Sequence, residues 1–175
     1  MVKRFFAFVV WCVVLLLLLI VFAPKKELYY LGERFLIAQK IAINGESASD
    51  YGLVFDLDNA QIVYDRMNVA RLENMRLFVS IFYNSLSLSP FMLSQELSFL
   101  PSRVDQLTVY HTIVMPHIIY IEGEGAFGSV KGEINLVSRR LRAVLNIPGE
   151  IQSRYGQFLT KMKREEEGFI YELKF

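Results

Sequence analysis

Residues 140–147 read RLRAVLNI, and this alternation decides the fold. Leu141, Ala143, Leu145 and Ile147 share one parity, against Arg140, Arg142, Val144 and Asn146. A period of two belongs to a strand with one side covered and one side wet. The pattern recurs on both sides of it. Residues 106–114, 118–122 and 126–137 read as strands, with Ser138-Arg139 as a hairpin tip. Further upstream, Leu53, Phe55 and Leu57 alternate with Val54, Asp56 and Asp58. Asn59 reads as a turn, and Ile62 and Tyr64 follow. After a break at 66–70, Met75, Leu77, Val79, Ile81 and Tyr83 alternate with Arg76, Phe78, Ser80 and Phe82, and Leu86 and Leu88 continue the series. Downstream, Phe169, Tyr171, Leu173 and Phe175 form a final strand after a turn at 165–168.

Three segments follow another rhythm. In 25–43, Leu28, Leu31, Phe35, Ala38 and Ala42 form one helical stripe, with Asn44-Gly45 as its stop. Ser89-Pro90 has the chemistry of a helix start, so Leu93, Leu97 and Leu100 suggest a short helix or an irregular apolar excursion. After Pro148-Gly149, Ile151, Tyr155, Phe158, Leu159 and Met162 recur at helical spacing.

Residues 5–23, FFAFVVWCVVLLLLLIVFA, carry no charge across nineteen positions. That length suits a helix crossing a hydrocarbon core of roughly 30 Å. A cleaved signal peptide is the rival reading, but such peptides have a shorter apolar core. Pro24 also follows the best small-residue cleavage candidate, Val21-Phe22-Ala23, where its fixed backbone hinders a peptidase. A retained single-pass anchor is therefore expected, carried by Phe5, Trp11, Leu15, Leu19 and Phe22. Lys3 and Arg4 precede it, and Lys25 and Lys26 follow. With the amino terminus counted, the bias puts residues 1–4 in the cytoplasm. The expected division is a head at 1–4, an anchor at 5–23, a juxtamembrane helix at 24–50 and a β-rich extracytoplasmic domain at 51–175. The fold class is α+β: an N-terminal transmembrane helix, then a curved, mainly antiparallel sheet with two or three helices.

The chain has 19 Lys and Arg against 18 Asp and Glu. Without Lys3 and Arg4 the remainder is 17 against 18, a net charge of −1 with no basic block. Nothing here suits the tracking of a nucleic-acid backbone. The one cysteine, Cys12, lies in the apolar stretch, so the rest of the chain can form no disulfide within itself.

No catalytic constellation stands out. Gly123, Gly125, Gly128 and Val130 match the phosphate-covering loop of protein kinases. A kinase also needs a catalytic loop and a metal-binding Asp-Phe-Gly beyond that loop. Only 47 residues follow Gly128, and neither motif is among them. Gly123, Gly125, Gly128 and Gly132 read instead as turn glycines that let two strands approach. Asp56 with Asp58, and Glu122 with Glu124, fit a wet strand face better than an acid–base pair. His111 and His117, six apart with Pro116 between, match no metal-ligand spacing. No cofactor motif and no enzymatic role are expected.

The order of parts resembles type II secretion system protein N and, more distantly, the AsmA-like lipid-handling proteins. The residues that carry the likeness are 104–112, 116–125, the run Gly128-Ser-Val-Lys-Gly132-Glu-Ile134-Asn-Leu136, 141–147 and 151–175, together with the anchor. The resemblance implies a non-enzymatic, inner-membrane-anchored component of an envelope machine, with its body in the periplasm and other membrane or periplasmic proteins as partners. The alternative is a lipid-binding or transfer protein that uses an apolar sheet groove. Phe55, Leu57, Leu77, Val79 and Ile81 would line that groove or meet a partner.

Overall fold

The computed structural model describes residues 2–94, 103–152, 159–160, 162–165 and 168–175. Helix α1 (Val2–Val21) is followed after a short break by α2 (Lys25–Ala38). Within α1, Lys3–Val21 is long and apolar enough to cross a membrane by length and composition, and none of it is buried by the rest of the chain.

The remainder is one antiparallel sheet of eleven strands among the described residues. The strands are β1 (Ile41–Asn44), β2 (Ser47–Asp50), β3 (Val54–Tyr64), β4 (Met67–Val79), β5 (Tyr83–Leu93), β6 (Arg103–Thr112), β7 (Ile118–Gly125), β8 (Gly128–Asn135), β9 (Arg140–Asn146), β10 (Lys163–Glu165) and β11 (Gly168–Lys174). From β3 to β9 each strand pairs with the next, then β11 and β10 complete the other end. The path does not close on itself. A helical turn, α3 (Gly149–Gln152), opens the segment predicted as a helix at 151–162, most of which lies outside the described residues.

Several expectations about element boundaries are corrected. The helix predicted over 25–43 ends at Ala38, Lys40 takes a left-handed backbone (φ 64°), and residues 41–44 and 47–50 are strands. Its packed face also differs, because Lys25 is buried and Tyr29 rests on Phe55 (ring centroids 5.6 Å apart), while Leu28, Leu31 and Phe35 stay exposed. Asn59 makes no turn; β3 runs straight through it. Its left-handed conformation (φ 57°) falls where the outer partner of β3 changes from β2 to β1. The reversal lies instead at Asp65-Arg66, both at positive φ, a two-residue turn of the kind that matches strand twist.

Ser89-Pro90 starts no helix, because β5 continues through it to Leu93. Proline lacks the N–H a central strand needs and is tolerated where pairing lapses. Pairing of β5 to β6 does lapse here: Leu88 meets Leu107 and Phe91 meets Val104, leaving Ser89 and Pro90 opposite an irregularity at Asp105. The Ser89 hydroxyl donates to the Asp105 carbonyl across that gap (2.9 Å).

Candidate functional site

Opposed residues of an antiparallel pair share a face, so the register sorts every side chain. One row reads Phe55, Leu77, Leu86, Val109, Ile121, Gly132, Ala143 and Tyr171. The next reads Leu57, Met75, Leu88, Leu107, Gly123, Val130, Leu145 and Phe169. Across eight strands neither row contains a charge. The opposite face runs Asp56, Arg76, Ser87, Thr108, Glu122, Lys131. Arg76 there grips Asp56 through Nε (2.8 Å) and Nη2 (3.1 Å), and Asn74 donates to Asp58 (2.8 Å). Of the acids singled out in the sequence, Asp56 and Asp58 are thus tied into cross-strand pairs, and Glu122 accepts from the Tyr110 hydroxyl (3.3 Å). Beside them Tyr110 stacks on Tyr120 (5.1 Å), and burial followed by the Glu122 carboxylate holds its phenol above the ordinary range.

The apolar face is covered only at its two sides among the described residues. On one side α2 seals a core of Phe55, Leu57, Ala60 and Leu72. On the other, Phe127 and Ile147 form a second cluster that Leu159 joins. Phe127 sits in the β7–β8 hairpin tip, and glycines place it. A Cβ on Gly128, whose φ is 103°, would overlap the Asn146 carbonyl. Gly125 and Gly128 therefore act as turn glycines, whereas Gly123 and Gly132 lie inside strands, where a Cβ would crowd Leu107 and the Arg142 carbonyl respectively.

Between these clusters Leu86, Val109 and Ile121 are only half-buried. The molecule exposes 12410 Å², against roughly 8,800 Å² for a compact monomer of this mass. Part of that excess is the bare apolar helix α1, and the half-buried apolar centre of the sheet adds to it; exposed apolar surface of this kind marks an interaction site.

The face opens into an apolar cavity of about 460 Å³ where anchor, α2 and sheet meet. Leu19 and Ile20 from the last turn of α1, Leu28 and Tyr29 from α2, and Phe55, Leu77 and Val79 from the sheet line it. Of the five predicted groove residues, Phe55, Leu77 and Val79 come together here. Leu57 is buried in the core beneath α2, and Ile81 falls in the β4–β5 turn, not on a strand. Sequence reasoning missed the contributions of Leu19, Ile20, Leu28 and Tyr29. Of the anchor residues named earlier only Leu19 reaches the cavity; Phe5, Trp11 and Leu15 are exposed along α1, and Phe22 is exposed just past its end.

The corner is pinned by charge. Lys25 Nζ donates to the Ile20 carbonyl (2.9 Å) and lies 3.8 Å from Asp50, while Asp50 accepts from the backbone N–H groups of Lys25 (3.2 Å) and Gly52 (2.9 Å). The Tyr29 hydroxyl is buried with no partner in hydrogen-bonding geometry. Burial first, then the nearby charges of Glu46 and Glu33, keep it protonated far above the ordinary phenol range.

Among the described residues no three of His, Cys, Asp and Glu gather as a metal site. His111 Nε2 donates to the Pro116 carbonyl (3.0 Å), closing the β6–β7 loop. No protein-family model, curated protein or solved structure matches the chain.

Proposed function

We propose that this chain is a membrane-anchored lipid-binding protein whose apolar sheet face takes acyl chains directly from the bilayer. One observation carries the reading: two charge-free rows spanning eight strands, half-buried at their centre and continuous with a cavity lined by the last turn of the anchor. Eight strands at about 4.8 Å spacing span roughly 34 Å, against about 15 Å for one hydrocarbon leaflet. An acyl chain therefore has room to leave the membrane and remain on a dry surface. No bond is made or broken in this work. The favourable term is apolar area taken from water, at about 25 cal/mol per Å².

In this reading α1 is a retained inner-membrane anchor and the sheet domain lies in the periplasm, as the flanking charges suggest. Service beside other proteins of an envelope machine is compatible with it, and an N-terminal anchor with a β-rich extracytoplasmic body is the shared feature of the families the sequence resembles.

Native mass spectrometry of the full chain, extracted in mild detergent, tests the proposal. Wild type should carry phospholipid, and a Val109→Glu/Ile121→Glu variant should lose it. Lipid absent from wild type, or retained equally by the variant, would reject the reading.

A further inference from the structure

The loops of a meander alternate between two rims of its sheet, and here the two rims differ. The β4–β5, β6–β7 and β8–β9 loops share one rim with the 51–53 turn that joins β2 to β3. That rim is the anchor's. A Cβ on Gly52 would lie 3.2 Å from Val21 of α1, and Val79, the last residue of β4, lines the same cavity as Leu19 and Ile20. If Lys3–Val21 crosses the hydrocarbon, Leu19 and Ile20 lie at its border, and this rim lies beside them.

The tips of the rim are apolar and exposed. Phe82 is 62 % exposed, Val114 83 % and Val137 81 %, with Ile113 and Leu136 beside them. Residues 51–53, 80–82, 113–117 and 136–139 contain no acid. Arg139 and Arg140 stand at the β8–β9 tip, and neither forms an ion pair among the described residues. At the opposite rim, among the described residues, the β3–β4 turn is the charged pair Asp65-Arg66, flanked by Tyr64 (49 % exposed) and Met67 (51 %), and Phe127 of the β7–β8 turn is tucked inward. Exposed apolar tips backed by arginine are the chemistry of a surface that dips into the headgroup layer.

We infer that this rim docks on the bilayer that α1 crosses, so that Phe82, Val114 and Val137 insert at the interface and the apolar face opens onto lipid. The occupant is the membrane surface, argued from continuity with the anchor and from an arginine-bearing, acid-free rim. The inference does not depend on lipid filling the sheet face, since a docked rim could hold an empty groove.

The full chain is tested with Cys12→Ser as background and one cysteine introduced at Val114, Val137 or Arg66, each carrying a polarity-sensitive fluorophore. Arg66 lies at the far end of β4, about 40 Å along thirteen residues from Val79. The protein is reconstituted into phosphatidylcholine vesicles holding a minority of phosphatidylglycerol. Labels at Val114 and Val137 should be blue-shifted, shielded from an aqueous quencher and quenched by brominated lipid tails, while the Arg66 label stays in water. Either rim label quenched from water as readily as Arg66 overturns docking. Shielding from water without quenching by lipid would mean a protein covers the rim, and it overturns the assignment too. Co-purified lipid is measured on the same samples, so failure of docking is distinguishable from failure of lipid binding.

Discussion

Lys25 and Asp50 tie the end of α1 to the sheet. The Lys25 side chain is 7 % exposed and its ammonium lies 3.8 Å from the Asp50 carboxylate, while its Nζ also donates to the carbonyl of Ile20 at the end of α1. A cation at a helix C-terminus meets the negative end of the helix dipole, and the carboxylate balances the charge on the sheet side.

Removing one partner therefore differs from removing the other. Asp50→Ala leaves a buried ammonium short of its counter-charge and should cost about 2–3 kcal/mol. Lys25→Met removes the buried charge itself and should cost distinctly less. Thermal unfolding of the detergent-solubilised chain separates them, and equal losses would argue against a buried-charge tie.

Tyr29→Phe should stabilise the protein by about 1 kcal/mol near neutral pH, because it deletes a buried hydroxyl that has no partner. The same variant reads the pH dependence. The phenol titrates above its ordinary value of 10.0 in the folded chain, so below that value folded and unfolded chains both hold the proton and stability does not vary with pH through this group. Above pH 10.0 the unfolded chain releases the proton first, and wild-type stability falls. Stability measured from pH 9 upward should fall more steeply for wild type than for Tyr29→Phe.

Two glycines should respond with opposite signs to one methyl group. Gly128→Ala puts a Cβ into the Asn146 carbonyl at a backbone angle that favours glycine, and should cost more than 2 kcal/mol. Gly32→Ala has nothing within 4 Å to meet and lies inside α2, so it should add about 0.5–1 kcal/mol. Denaturant midpoints of the two variants give the comparison.

The two sides of the sheet should also separate under charge. Val109→Glu should remove bound lipid while leaving the sheet folded, because Val109 is only half-buried. Ser87→Glu, on the polar face opposite Arg76, should change neither lipid content nor circular dichroism. A matching loss of lipid in both variants would trace the effect to folding and not to the apolar face.

Much of the sheet was legible because a period of two survives wherever one face is dry. Leu141, Ala143 and Leu145 fall on the predicted side of β9, and the closing strand from Phe169 pairs with that strand. Where local chemistry and long-range pairing disagreed, pairing won. Ser89-Pro90 carries the marks of a helix start, yet it sits in mid-strand beside a gap in the β5–β6 ladder. The Asp65-Arg66 turn was hidden because it uses neither Gly nor Asn at its left-handed positions. The cavity was half legible: Phe55, Leu77 and Val79 share a strand parity, but no local pattern brings Leu19, Ile20 and Tyr29 against them. That meeting depends on the angle at Pro24 and on the Lys25–Asp50 contact, which span the chain from anchor to sheet.

Photo-crosslinking asks directly whether lipid travels over the sheet. The full chain is reconstituted with a phospholipid bearing a diazirine near the end of its acyl tail, irradiated, and mapped by peptide mass spectrometry. Adducts should appear in β5, β6 and β7 at or beside Leu86, Val109 and Ile121, as well as in α1. Adducts confined to α1 and the anchor-side loops would contradict an acyl-chain path on this face.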